Sequence, residues 1–297
     1  MPQIDRRPDC ATIDGSAAAV RQRPLFRTLV TLLERIAEDA AREAGVIAWG
    51  CPVPAFGDPT AARVATLGLN PSSREFVDKD SVELNGDARR FHTLGSLGLL
   101  TWDDADVDHL DLILTSCRDY FASNPYDRWF KRLDTVVSGT GASFYDSASP
   151  ACHLDLIPYA TASKWTELSM RQRSGLLELT SDTLALLLRC SAVRVLILNG
   201  RAVVSHFQQA TGIVLERTEM LDWSLPRESS HDVRGYAYHG RVNTVSGHPL
   251  SHELLVLGFN YNLQSSYGVT SGVIEAIRLW IGVAAIEALK SPVTVTA

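Results

Sequence analysis

Asn70 follows an apolar run and precedes a proline, in the stretch Arg63–Arg74 that reads R-V-A-T-L-G-L-N-P-S-S-R. Its amide offers an acceptor oxygen and two donor hydrogens, so it can hold a water by placement, without ionising. Asp155 stands in a second short run, Ala151-Cys-His-Leu-Asp-Leu-Ile-Pro-Tyr-Ala160. As a carboxylate it only accepts hydrogen bonds, which suits a ligand edge that presents an amino donor. Asn199 closes a third run, Val193-Arg-Val-Leu-Ile-Leu198, just before Gly200. A fourth run, Leu254-Leu-Val-Leu-Gly258, leads into Asn260, Asn262, Leu263, Gln264, Ser265 and Ser266. Plainer readings stand beside these. Asn-Pro is a common turn pair, Asp155 can be an ion-paired strand residue, and Gly200 lets the chain turn tightly.

The runs themselves say what positions these groups. Val64–Leu69, Cys152–Leu156, Val193–Leu198 and Leu254–Gly258 have the apolar character of strands buried on both faces. They predict an α/β fold: a three-layer α/β/α sandwich around a central, mostly parallel sheet. Gly68 frees the backbone and Pro71 forbids further ladder bonding, so Asn70 arrives at the carboxyl end of a core strand. That edge is where open α/β sheets bind ligands. A further strand is expected from about Tyr236 to Val245, with a turn at Ser246-Gly247. Leu25, Leu29, Leu32, Leu33 and Ile36 recur at helical spacing and predict one helix from about Pro24 to Glu43. The capping box Ser169-x-x-Gln172 predicts another, to about Arg189. One domain is expected over 24–290, with loose tails at 1–23 and 291–297 and a helical insertion at about 102–149. In that insertion Tyr126, Trp129, Phe130, Lys131 and Arg132 are open to two readings, DNA contact or core. Such aromatics are more often core.

Composition narrows the classes. Hydrophobic residues make up 45% and charged residues 21% of the 297, the balance of a soluble globular protein. No run is long enough to span a membrane and no signal peptide is evident, so a cytoplasmic location is expected. Cys10, Cys51, Cys117, Cys152 and Cys190 are scattered, with no C-x-x-C, which argues against a zinc ribbon or a disulfide framework. No metal and no cofactor are expected, and no P-loop is present. The formal net charge of −6 argues against a protein that coats nucleic acid. It leaves room for one with a local basic rim around a pocket.

The strand followed by Gly68-Leu69-Asn70-Pro71-Ser72 resembles the first motif of the uracil-DNA glycosylase superfamily. It is closest to the mismatch-specific, thymine-DNA-glycosylase-like branch, whose motif is Gly-Ile-Asn-Pro-Gly. Arg90-Phe91-His92 matches that branch's Ala-Asn-Arg-Phe-Trp, which precedes a helix. The later strands follow in the family's order, so the resemblance covers most of Arg63–Ile281. Two stretches compete for the second motif: Gly247-His248-Pro249-Leu250-Ser251 by its letters, and Asn260–Ser266 by its position after the last core strand. Position favours Asn260–Ser266, since His248 precedes that strand and falls at the opposite sheet edge from Asn70.

The resemblance implies a monofunctional DNA glycosylase that flips a base out of the helix and hydrolyses its N-glycosidic bond. Asn70 is then the catalytic residue that holds the water. Gly68, Leu69, Pro71, Ser72, Asp155 and Asn199 are then the base pocket. Asn260, Asn262, Leu263, Gln264, Ser265 and Ser266 contact DNA, with Leu263 and Gln264 as the wedge that fills the gap. DNA is the implied partner, with no obligate protein partner evident. In the uracil-selective branch a Tyr follows the motif-one Pro and shuts out bases with a 5-substituent. Ser72 is small and leaves that side open, and Asp155 suits an amino edge. Together they imply a C5-modified cytosine of the kind found in viral DNA. Repair of uracil or mismatches, a catalytically silent binder of modified bases and a nucleoside hydrolase without DNA are the alternatives.

Overall fold

The computed structural model describes residues 24–225, 232–264 and 269–290. The expected tails, 1–23 and 291–297, lie outside these residues, as do Ser265 and Ser266. The strands are β1 (Val64–Gly68), β2 (Ala151–Asp155), β3 (Val195–Asn199), β4 (Glu216–Leu225), β5 (Val233–Val245) and β6 (His248–Phe259). They form one sheet in the order β2-β1-β3-β6-β5-β4. β1 pairs in parallel with β2 and β3, and β3 with β6, while β5 runs antiparallel to both β6 and β4. Every residue of β1, β2 and β3 is buried, which explains their unbroken apolar character.

The helices are α1 (Pro24–Ile36), α2 (Asp39–Glu43), α3 (Leu94–Leu97), α4 (Val107–Arg118), α5 (Asp127–Val137), α6 (Met170–Leu179), α7 (Thr183–Arg189), α8 (Arg201–Thr211) and α9 (Ser271–Lys290). They cover both faces of the sheet. Val64, Val195, Ile197 and Leu257 pack with Phe130 and Leu133 of α5 and with Ile277 and Ile281 of α9. On the other face Leu67, Leu154 and Leu198 pack with Leu188 of α7 and with Val203 and Phe207 of α8. The 102–149 segment thus supplies part of one helical layer: Phe130, Leu133, Val136 and Val137 of α5 are all buried.

Two helices expected to be continuous are each broken in two. The first ends at Ile36, and Glu38 is extended before α2 begins. The second gives way between Leu179 and Thr183, where the Thr180 hydroxyl turns back onto the Leu176 carbonyl (2.9 Å). One contact lies beside both breaks. Arg35, in the last turn of α1, makes a bidentate bond to Asp182 just before α7, at 2.7 and 3.0 Å. Local helix spacing carries no trace of a partner that distant in sequence. β4 is a further departure, an exposed edge strand with a charged sequence and no buried face over most of its length. His248 opens β6 opposite Val245, well before Leu255, the residue that pairs with the start of β3. It therefore lies toward the end of the sheet away from Asn70.

Candidate functional site

The carboxyl ends of the parallel strands carry two adjoining polar features, an outer cleft and an inner row. The cleft, about 320 Å³, is walled on one side by Asn70, Pro71, Ser72 and Ser73 and on the other by Thr161–Trp165 and Glu167. Two backbone bonds hold the strand end in place, from Leu156 N to the Gly68 carbonyl (3.2 Å) and from Ile157 N to the Leu69 carbonyl (2.9 Å). Pro71 is buried, Leu69 and Asn70 are half-buried, and Ser72 is exposed. Ser72 caps the 3-10 turn Ser73–Glu75 by accepting from Arg74 N at 3.2 Å. The Asn70 Nδ2 donates to the Thr161 hydroxyl (3.0 Å) and to the Pro71 carbonyl (3.1 Å). Oδ1 makes no hydrogen bond among the described residues and is the atom left for the cleft.

The inner row runs across the sheet on the face covered by α5 and α9. Asp155 pairs in register with Gly68. Leu67 pairs with Leu198, which sets Asn199 beside Gly68 on the other side, and Asn199 pairs with Phe259. Asp155 and Asn199 are 3% and 4% exposed, so both sit in the interior. Asp155 Oδ1 lies 3.3 Å from His153 Nε2, and His153 Nδ1 is 2.6 Å from the Thr66 hydroxyl. Phe56, Trp129 and Phe130 surround the His153 ring. Gly68 has a steric reason: a Cβ there would stand 2.3 Å from Asp155 Oδ1. Asp155 therefore takes a paired partner and also stands in the row.

Asn199 donates through Nδ2 to Gln264 Oε1 (3.1 Å), and Gln264 donates in turn to the Trp129 carbonyl (3.3 Å). The bond fixes the amide so that Oδ1 is turned away from Gln264. That oxygen is buried and has no hydrogen-bond partner among the described residues. A buried acceptor without a donor costs about 1–3 kcal/mol, which makes Asn199 the strongest mark of a ligand site in this part of the molecule.

The expected DNA-contact segment is placed differently from its reading. Leu263 is fully buried, so it is a core residue and not an exposed wedge. Asn260 spends both ends of its amide on β5, accepting from Tyr236 N and donating to the Arg234 carbonyl, each at 2.8 Å. Asn262 accepts from Gln264 N at 3.0 Å. Among the described residues of this stretch, Gln264 alone reaches the inner row. In the insertion Phe130 is core, Trp129 is half-buried against His153, Lys131 pairs with Asp127, and Arg132 donates to the Val269 carbonyl (3.1 Å). Phe91 is buried and Thr93 caps α3 with a capping box.

Glu75 is the residue the sequence left hidden. Its carboxyl is buried, accepts from the Tyr120 hydroxyl at 2.9 Å and lies 3.9 Å from Arg90 Nε. Burial pushes it up to about 7; Tyr120 and Arg90 oppose that, and nearby Asp155 adds to it. A Glu in the polar stretch Ser73-Arg-Glu-Phe reads as solvated, and only Tyr120, from a separate part of the chain, discloses its burial. Among the described residues no group of three His, Cys, Asp or Glu side chains is placed to hold a metal ion. No described helix is long and apolar enough to cross a membrane. No protein-family model and no curated protein matches the chain.

Proposed function

We propose that this protein is a monofunctional DNA glycosylase of the uracil-DNA glycosylase type, with Asn70 as the catalytic residue. The observation that carries the reading is the Asn70 amide, which lines an open cleft, is anchored through Nδ2 to Thr161, and keeps Oδ1 without a hydrogen bond among the described residues. A water donating to Oδ1 is held with a lone pair free to attack the sugar C1′. The C1′–N bond breaks with its electron pair going to the base, the water oxygen bonds to C1′, and its spare proton passes to solvent. The amide acts by placement. Flipping the base out beforehand costs a few kcal/mol of stacking. No lysine lies in the two motifs, Gly68–Ser72 and Asn260–Ser266, and Lys164 at the cleft wall pairs with Glu167 (3.7 Å), so the reading includes no Schiff-base strand cleavage.

The proposed base is a cytosine carrying a C5 substituent, as in modified viral DNA. The exposed, small Ser72 and the acceptor Asp155 support this choice. A panel of duplex and single-stranded oligonucleotides bearing uracil, thymine mismatches and C5-modified cytosines tests it. Alkali-labile sites are expected at the modified cytosines, and Asn70→Ala should remove them. Full activity in that variant takes Asn70 out of the mechanism, and cleavage of uracil alone overturns the choice of base.

A further inference from the structure

Two arginine–aromatic pairs stand beside the cleft, with α8 between them. On the near side Trp165 lines the cleft together with Asn70. The Arg173 guanidinium lies over its ring at 5.9 Å, and His206 of α8 makes a T-shaped contact with it at 5.3 Å. On the far side Tyr236 packs against the core that holds Val203 and Val204 of α8, and Arg217 lies over its ring at 4.8 Å. Direct contacts link the two. Arg201, exposed in the first turn of α8, donates its backbone N–H to the Asn260 carbonyl (3.2 Å), and Asn260 Oδ1 accepts from Tyr236 N (2.8 Å).

The charge along this strip is one-sided. Lys164 pairs with Glu167 (3.7 Å) and Arg234 with Glu219 (3.1 Å), which neutralises those four. Arg173, Arg201 and Arg217 pair with no carboxylate among the described residues. Arg173 is steadied by the Trp165 and Thr166 carbonyls (3.0 and 2.9 Å), while Arg201 and Arg217 are exposed. The strip is therefore cationic in a chain whose net charge is −6. A third pair, Arg90 over Tyr126, differs: Glu75 lies 3.9 Å from Arg90, and the Asn124 and Arg74 carbonyls take its donors. A guanidinium binds phosphate as a fork, and a base stacks on a guanidinium or a ring. A duplex keeps its bases stacked on one another, whereas a single strand offers their faces.

We propose that this strip is a track for single-stranded DNA. Arg173–Trp165 and Arg217–Tyr236 are its stacking platforms, and Arg201 is a phosphate contact between them. The inference rests on the glycosylase reading for what the strand delivers to the cleft, and adds that the substrate is single-stranded.

The test measures fluorescence anisotropy with labelled probes of equal length: an oligothymidylate, the same backbone with an abasic tetrahydrofuran at every position, and the oligothymidylate annealed to oligoadenylate. The oligothymidylate is expected to bind about tenfold or more tighter than either of the others, one stacked base being worth about that factor. An abasic or duplex probe that binds as tightly overturns the inference, and an oligouridylate that binds more tightly overturns DNA as the strand. Trp165→Leu and Tyr236→Leu should each narrow the gap to the abasic probe severalfold. Arg201→Gln and Arg217→Gln should each weaken oligothymidylate binding and reduce the slope of log K against log salt by about 0.7, the share of one phosphate in a single strand. Circular dichroism confirms that each variant is folded. If the half-buried aromatics cannot be replaced without unfolding, the exposed Arg201 and Arg217 decide the matter: an unchanged slope in both folded variants overturns the track. Excision is read separately, on the modified oligonucleotides. Preference for the oligothymidylate without any excision keeps the track and removes the activity. Excision without that preference removes the track and keeps the activity.

Discussion

The two ends of the parallel strands both carry hollows, but of opposite character. At the amino end a cavity of about 400 Å³ is walled by Pro54, Ala55, Gly57, Pro59, Cys117 and Cys190, with Asp58, Asp111 and Arg118 also lining it. There Asp58 is already bonded by the Thr60 amide (2.8 Å) and hydroxyl (2.6 Å), and Arg118 by Asp119 (2.9 Å). At the carboxyl end the cleft is smaller, yet Asn70 lines it with Oδ1 unbonded, and in the row alongside Asn199 Oδ1 lacks a donor among the described residues. Unfilled hydrogen-bonding capacity, and not volume, separates a site from a packing defect. The parallel topology places that capacity at the carboxyl edge, as expected for open α/β sheets.

The sharpest way to break the comparison is at Asn70. Asn70→Ala is expected to lower the proposed base excision about a hundredfold or more, since misplacing the water by about an ångström would cost that much. Comparable loss from a change at the amino-end cavity would dissolve the contrast.

Glu75 gives the next largest effect. Its folded value is about 7 against 4.5 for an ordinary Glu, so the folded chain holds the proton more tightly than the unfolded one. The stability this brings is complete below pH 4.5 and is lost as pH rises through 7. At 1.36 kcal/mol per unit the loss amounts to about 3 kcal/mol. Glu75→Gln stays neutral and should flatten that part of the profile in urea titrations between about pH 5 and 8. An identical slope in both proteins would show that the carboxyl is already solvated.

Gly68→Ala should destabilise by about 1–3 kcal/mol, the usual cost of overpacking, and should disturb the Asp155–His153 pair. Urea midpoints read the stability change. A neutral outcome means that Asp155 moves aside freely, and the row is then less rigid than its register suggests. The smallest effect belongs to the amino end. Thr60→Ala removes an exposed hydroxyl bonded to Asp58 and should change stability by no more than about 0.5 kcal/mol, with excision unaffected.

How much of this was legible depends on where the information lies. β1, β2 and β3 were readable because strands buried on both faces need apolar residues throughout. The capping box was readable because it is local: Ser169 accepts from Gln172 N (3.3 Å), and Gln172 Oε1 accepts from Ser169 N (3.0 Å). The helix breaks were not, and the Arg35–Asp182 bond beside them joins residues far apart in sequence. β4 was hidden by its charges, which face outward on an edge strand. At the site, Asn70 and Ser72 could be placed from the Gly and Pro around them. Leu263 could not, because a residue after a strand reads as a loop tip until the packing that buries it is seen.

Asn260 sets which part of its segment can move. Its amide fastens the end of β6 to β5, the next residue, Tyr261, donates its hydroxyl to the Trp223 and Val233 carbonyls (2.7 and 2.9 Å), and Leu263 is sunk in the core. The chain from Asn260 to Leu263 is therefore a brace with no slack, and Gln264 stands at its end. Releasing the Asn199 amide from Gln264 takes rotation about the side-chain bonds of Gln264, with the backbone before it at rest. Such rotations belong to the fast end of protein motion, far quicker than the microseconds to milliseconds of a hinged segment.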